Sequence, residues 1–211
     1  TAQDYREAAK GLSAQNLSQA KAKIDNGLAI ITKEHGIGVK ELLGGDETTM
    51  QSLIQKGVAS INARNGEIDE TIKAADIALA GQGIKVIGGT LATEAAKAGK
   101  SAGPKIVEVG NKMLKAFNVA FGKKGAPLAE IQNEKKALNK FFFDPQADTV
   151  TQTALNAVTA DFRKTIERTV NKLVTDGRLP AESRDLIRKL NLEERDLLSV
   201  TKALAKKLPG A

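Results

Sequence analysis

Apolar residues recur along most of this chain with the period of a helix. The sharpest stretch runs from residue 46 to 80. There Ile54, Val58, Ile61, Asn65, Ile68, Ile72, Ala75 and Leu79 follow one another at steps of four and three. At 100° per residue these positions form a stripe narrower than the face of an ordinary surface helix. It reads as the seam of a bundle or coiled coil. Asp46 is placed to cap the start, and Gly81 and Gly83 to end it. Gly57 and Gly66 lie beside the seam, where a neighbouring helix can come close. Asn65 is the one polar member, read either as the wet edge of the seam or as a buried polar group that sets register. Asp69 and Lys73 are spaced as an i,i+4 ion pair.

A second long helix is predicted over 148–176, with Asp148 or Thr149 at its start. Val150, Leu155, Val158, Phe162, Ile166, Val170 and Leu173 carry its apolar face. Thr151, Thr153, Thr159, Thr165 and Thr169 lower its propensity, so packing must hold it. Asp161, Arg163, Lys164, Glu167 and Arg168 read as its solvated side.

Shorter elements fill the remainder. An arm over 1–10 carries Tyr5, a helix runs from Ser13 to about Glu34, and a single turn spans 39–43. Ile84, Val86, Ile87 and Leu91 suggest a brief strand, but a lone strand is unstable and none offers itself as partner. The preferred reading of 81–103 is a Gly-rich turn followed by a helix of small residues from Thr90 to Lys100. Gly103–Pro104 predicts a fresh helix start, with Ile106, Val109, Met113, Phe117 and Phe121 inward and Lys105, Lys112 and Lys115 wet. Lys123 and Lys124 fall in a loop. Pro127 opens a helix to about Phe142, whose stripe of Leu128, Ile131, Leu138 and Phe142 is interrupted by Lys135. Pro180 opens a short helix to Leu190, and Asn191 with Glu194 matches a capping box at the start of the last one.

The fold class predicted is all-α: a multi-helix bundle of six to eight helices, the two long ones at about 46–80 and 148–176. A single helical domain over 1–211 is expected, with 101–104 or 143–148 as places where it could subdivide. Composition supports an aliphatic core, with 41% hydrophobic residues but only six Phe, one Tyr and no Trp.

The net charge of +7 is unevenly spread. Residues 81–140 hold eleven Lys, no Arg and four Glu, a local balance of +7, while residues 1–80 balance at −2. Such a block suits an anionic membrane, nucleic acid or an acidic protein face. The absence of Arg and the scarcity of aromatic residues favour phosphate attraction over base reading. No run of 18 apolar residues is present, so no permanent transmembrane span is expected. Localisation stays open, with secretion or a place in a virus particle compatible with the lack of cysteine and with a start at Thr1 that allows prior processing.

Candidate chemistry is thin. Gly99–Lys100–Ser101 resembles the end of a phosphate-binding loop, but Glu94 stands where that loop needs its first glycine. Gly81–Gln82–Gly83 lacks the third glycine of a dinucleotide fingerprint, Val86 standing in its place. His35 is the only histidine, and beside Glu34 near a helix end it reads as a favourable end charge. Glu130 and Glu134 share a helix side at a spacing common on surfaces. The segment 180–198 loosely suggests a helix-turn-helix, though Glu193, Glu194 and Asp196 would face the phosphates. No cofactor, metal or small-molecule substrate is expected.

The function expected is therefore non-catalytic: a structural or interaction protein that docks through helix faces, on a protein partner or on itself, a role compatible with a larger secreted or viral assembly. Its candidate contact residues are Phe141, Phe142 and Phe143, of which one is a candidate exposed anchor, and the lysines Lys105, Lys112, Lys115, Lys123 and Lys124. Two rival expectations are a membrane-active protein using the Gly/Lys-rich region 77–121, and a non-specific nucleic-acid binder.

Overall fold

The computed structural model describes residues 14–37, 47–140 and 148–205. The expected N-terminal arm with Tyr5, the turn at 39–43, the Asp46 cap and the triplet Phe141–Phe143 lie outside the described residues. Within them the chain is all-helical: α1 (Ala14–His35), α2 (Glu47–Leu79), α3 (Gly89–Ala120), α4 (Leu128–Lys140), α5 (Thr149–Thr175) and α6 (Glu182–Ala205), with a 3-10 turn at Gly122–Lys124. The two long helices stand where the periodicity places them.

Two compact units divide the chain, and the boundaries fall inside α2 and α6. The first joins the described residues up to Asn62 with those from Leu192 onward. Ile31, Ile37, Leu53, Ile61, Leu197, Leu198 and Val200 form its core. Here the seam of α2 departs from its expected course. Ile61 is buried, but Val58 is 40% exposed, and Leu53, Gly57 and Ser60 take the inner positions. A seven-residue repeat drifts by about 20° per heptad on a straight helix, so the stripe that fits the later turns slides off the core in the earlier ones. Gly57 makes the substitution workable, since a Cβ there would lie 2.5 Å from Thr201 Oγ1 on α6.

The second unit spans Ala63–Asn191. Its part of the seam, Ile68, Ile72, Ala75 and Leu79, is buried as expected. The core also takes Leu155, Val158, Phe162, Ile166, Val170 and Leu173 from α5, the apolar face predicted for that helix. Phe162 meets Phe117 edge-on, with ring centroids 4.8 Å apart, and Phe117 meets Phe121 at 5.1 Å. Two threonines of α5 satisfy their hydroxyls on the preceding turn, Thr165 donating to Asp161 O and Thr169 to Thr165 O, both at 2.8 Å.

Helix α3 is two limbs folded back on each other. Gly99 breaks it with φ 74° and ψ −173°, a left-handed region that costs glycine little. Leu91 and Gly110 are nineteen residues apart, a separation of about 28 Å along a continuous helix. In the structure Leu91 instead packs directly over Gly110. The approaches of Ala95 to Gly103, Leu91 to Gly110 and Gly88 to Leu114 run in opposite chain directions, so the limbs are antiparallel. A Cβ at Gly103 would lie 2.5 Å from the carbonyl oxygen of Ala95, a spacing only glycine allows without rearrangement. The expected helix of small residues is thus the first limb. The turn comes at Gly99, not at Gly103–Pro104, because Gly99 has the backbone freedom a reversal needs while Pro104 fits within the second limb.

Two hydrogen bonds of 2.8 Å between Ile84 and Ala126, one in each direction, close the base of this hairpin. That isolated antiparallel pair is what remains of the brief strand suggested near residue 84. One further correction concerns the C-terminal region. The short helix to Leu190 and the last helix are one continuous α6. Asn191 and Glu194 are not a cap but fully buried residues within it, so the suggested helix-turn-helix has no turn.

Candidate functional site

The loop and hairpin from residue 81 to 126 contain eight lysines and two glutamates. Ile106, Gly110, Leu114 and Phe117 turn the second limb's inner side to the core, which leaves Lys105, Lys112 and Lys115 on its outer side. All eight lysines of this region are exposed, Lys123 and Lys124 on the 3-10 turn among them. Both glutamates are already engaged. Glu94 accepts from Lys97 at 2.8 Å and Glu108 from Lys112 at 2.8 Å. The Lys112 ammonium, by hydrogen bond and by charge, holds the Glu108 carboxyl below the ordinary glutamate range. Among the described residues, Lys85, Lys100, Lys105, Lys115, Lys123 and Lys124 have no carboxylate partner, so the region presents six uncompensated positive charges.

Two aliphatic side chains stand among these lysines. Asn118 accepts from the Val86 amide at 3.2 Å and donates to its carbonyl at 3.0 Å. This pair of hydrogen bonds brings Ile87 and Val119 to the same end of the hairpin. Each is 66% exposed, while Val86 turns inward. Lys115 lies one helical turn before Val119, and Lys85, Lys123 and Lys124 flank the pair in sequence.

The interior of the second unit is also polar in one layer. Lys135, the lysine that interrupts the α4 stripe, is 0% exposed and donates to Asn191 Oδ1 at 3.3 Å. Asn191 in turn donates to Glu167 Oε1 at 3.0 Å. Buried Gln132 donates to Asn65 Oδ1 at 3.1 Å, so the polar member of the seam is half-buried and bonded across helices. Asp69 pairs with Lys136 at 2.9 Å, and not with Lys73 as the i,i+4 spacing suggests. Lys73 goes to Glu70 at 2.6 Å, and that hydrogen bond and charge raise its pKa above the usual lysine value.

Carboxylates elsewhere are used as helix caps across the fold. Asp76 on α2 accepts from the Leu128 and Ala129 amides at 2.8 and 2.9 Å, satisfying the start of α4. Asp161, expected on the wet side of α5, is fully buried and accepts from the Thr90 and Leu91 amides at 2.7 and 3.2 Å. It caps the first limb of α3, which has no side-chain cap of its own. The reassignment follows from partnership, since a buried carboxylate is tolerable when orphan amides surround it.

The sequence motifs lose their chemical readings on this fold. Gly99–Lys100–Ser101 follows a helix and forms a hairpin reversal, whereas a phosphate loop follows a strand. His35 is the last residue of α1, as read, and its Nε2 lies 3.1 Å from Ser60 Oγ. Ser60 donates its own proton to Glu34 Oε2 at 2.6 Å. That wiring couples serine to the carboxylate directly, with no acid set behind the histidine as a nucleophilic triad requires. No pattern in the sequence joins Ser60 to residues 25 positions away. Among the described residues, no group of three or more His, Asp or Glu side chains is placed to hold a metal ion. None of the described helices is long and apolar enough to cross a membrane.

Of the predicted contact residues, the structure thus gathers Lys105, Lys112, Lys115, Lys123 and Lys124 on one helical limb and the turn that follows it, while Phe141, Phe142 and Phe143 lie outside the described residues. Sequence reading missed Ile87 and Val119, because their exposure depends on which side of each segment Asn118 and the core have claimed. Fold and surface together define an all-helical bundle with a cationic hairpin. No protein-family model, curated protein or solved structure matches the chain.

Proposed function

We propose that this protein is a non-catalytic interaction protein that docks, through the outer face of the α3 hairpin, on an anionic partner surface. The observation that carries the reading is the charge pattern: eight exposed lysines, two glutamates already paired, and six positive charges left over on one supersecondary unit. An unbalanced surface of this kind raises encounter rates with anionic surfaces and gives binding that weakens with salt. The non-catalytic part of the reading is supported by how the acidic groups are engaged. Asp76 and Asp161 cap helices, Asp69 pairs with Lys136, and Glu34 holds Ser60. A place within a larger secreted or viral assembly is the setting in which such a docking element would act.

Retention on immobilised heparin tests the reading. The wild-type chain is expected to elute at clearly higher salt than a Lys105→Gln/Lys115→Gln/Lys123→Gln/Lys124→Gln variant of equal helicity. Equal elution of the two proteins would remove the hairpin face as the docking surface. Light scattering at increasing protein concentration separates docking on a partner from self-association: a monomer throughout excludes the latter.

A further inference from the structure

Resting on that docking reading, we infer that the partner surface is an anionic lipid interface, engaged by the base of the α3 hairpin with Ile87 and Val119 seated among lipid headgroups. Three features separate this partner from other anions. First, exposed Ile87 and Val119 lie within five residues of Lys85, Lys115, Lys123 and Lys124 along the chain, and a bilayer interface supplies both a negative potential and an apolar boundary for such a mixture. A nucleic-acid backbone supplies only the former. Second, the two aromatic residues of the hairpin are not free to stack on bases, Phe117 being buried and Phe121 packed against it. Third, tight protein interfaces favour Arg and aromatic anchors and are depleted in Lys, whereas every cation from residue 81 to 126 is Lys. Lysine suits a lipid surface, since its long stem lies along apolar groups while the ammonium stays at the phosphate level. The attachment is peripheral, because no described helix is long and apolar enough to span a bilayer.

Co-sedimentation of the full chain with two kinds of vesicle tests the inference: phosphatidylcholine alone, and phosphatidylcholine mixed with phosphatidylglycerol. Binding is expected only to the mixed vesicles and is expected to fall as salt rises. Each of Lys85→Gln, Lys115→Gln, Lys123→Gln and Lys124→Gln should weaken it about fivefold. Ile87→Ser with Val119→Ser should weaken it about tenfold while leaving heparin retention unchanged. Both aliphatic positions are exposed, so helicity by circular dichroism should stay at the wild-type level, and the single lysine variants give an independent readout.

Failure to sediment with mixed vesicles at low salt, with heparin retention intact, would overturn the lipid partner and leave the docking reading standing. Vesicle binding insensitive to the Ile87/Val119 double change would overturn it as well, as would tighter binding to random duplex DNA than to the mixed vesicles at equal salt. Loss of both vesicle and heparin binding would remove the docking reading itself.

Discussion

Lys105 on α3 and Lys135 on α4 lie thirty residues apart in the same lysine-rich segment, the first open to water and the second fully enclosed. The difference lies in register. On the second limb of α3 the inward positions are Ile106, Gly110, Leu114 and Phe117, and Lys105, Lys112 and Lys115 fall off that line. On α4 the steps from Leu128 to Ile131, Lys135 and Leu138 carry a lysine directly into the apolar line. Because α4 is enclosed on that side, Lys135 is buried and Asn191 serves it, with Glu167 one hydrogen bond further on. Charge is therefore a surface property of the hairpin and part of the interior layer of α4. The local balance of +7 counted along 81–140 does not describe the accessible field, which belongs to 81–126.

The contrast is broken most directly by truncating one lysine of each kind. Lys135→Ala is expected to destabilise the protein by about 3 kcal/mol in chemical denaturation, through the cavity left by its stem and the loss of a partner in a buried polar layer. Lys105→Ala should stay within about 0.5 kcal/mol. Lys135→Met, which preserves the stem, should lose less than Lys135→Ala. Equal effects at residues 105 and 135 would sink the distinction between the two helices.

Asp161 extends the comparison to anions, since it is buried where a solvated residue is expected. Asp161→Asn is expected to cost about 2 kcal/mol, because one amide group cannot accept from the Thr90 and Leu91 N–H groups as a carboxylate does. Amide hydrogen exchange at Thr90 and Leu91 should accelerate more than at the second limb. Uniform acceleration along α3 would show that Asp161 does not act as a cap.

Gly103→Ala probes the reversal of the hairpin and should cost about 1–2 kcal/mol, since the added methyl meets the Ala95 backbone oxygen. Gly66→Ala makes the control: nothing lies near a Cβ there, and the change should be neutral or stabilising by up to about 1 kcal/mol.

The smallest effect is the pH dependence carried by Asp148. The backbone N–H of Thr151, followed by its hydroxyl, holds this carboxyl below its ordinary value of 3.8. A depressed folded pKa gives stability that is present above the unfolded pKa and lost as pH falls through the folded one. Asp148→Asn should therefore flatten a small part of the acid limb below about pH 4 and change nothing at neutral pH beyond the cap itself. An unchanged acid limb would show that the cap is equally formed in the protonated state.

How far the sequence can be read follows from these same residues. The helices at Glu47–Leu79 and Thr149–Thr175 were legible because their apolar stripes are long and Asp148 signals its own N-cap locally. The lysine block was legible from composition, and its exposure on α3 from periodicity. Asn191 and Glu194 misled because a capping box and two polar residues in a buried stripe look alike along the chain. Asp161 misled because its partners, Thr90 and Leu91, are about seventy residues away. Val58 misled because a stripe continued at a fixed period ignores the drift of a straight helix.

Local spacing, then, determined that this chain is helical, where its long helices run, and that its middle is cationic. The tertiary structure alone decided that α3 reverses at Gly99, that Asp76 and Asp161 cap helices other than their own, and that Lys135 is buried while Ile87 and Val119 are not. The physical reason is range. Helical period and local caps are set within a few residues, whereas the burial of a polar group is tolerated only when a partner arrives from elsewhere in the chain.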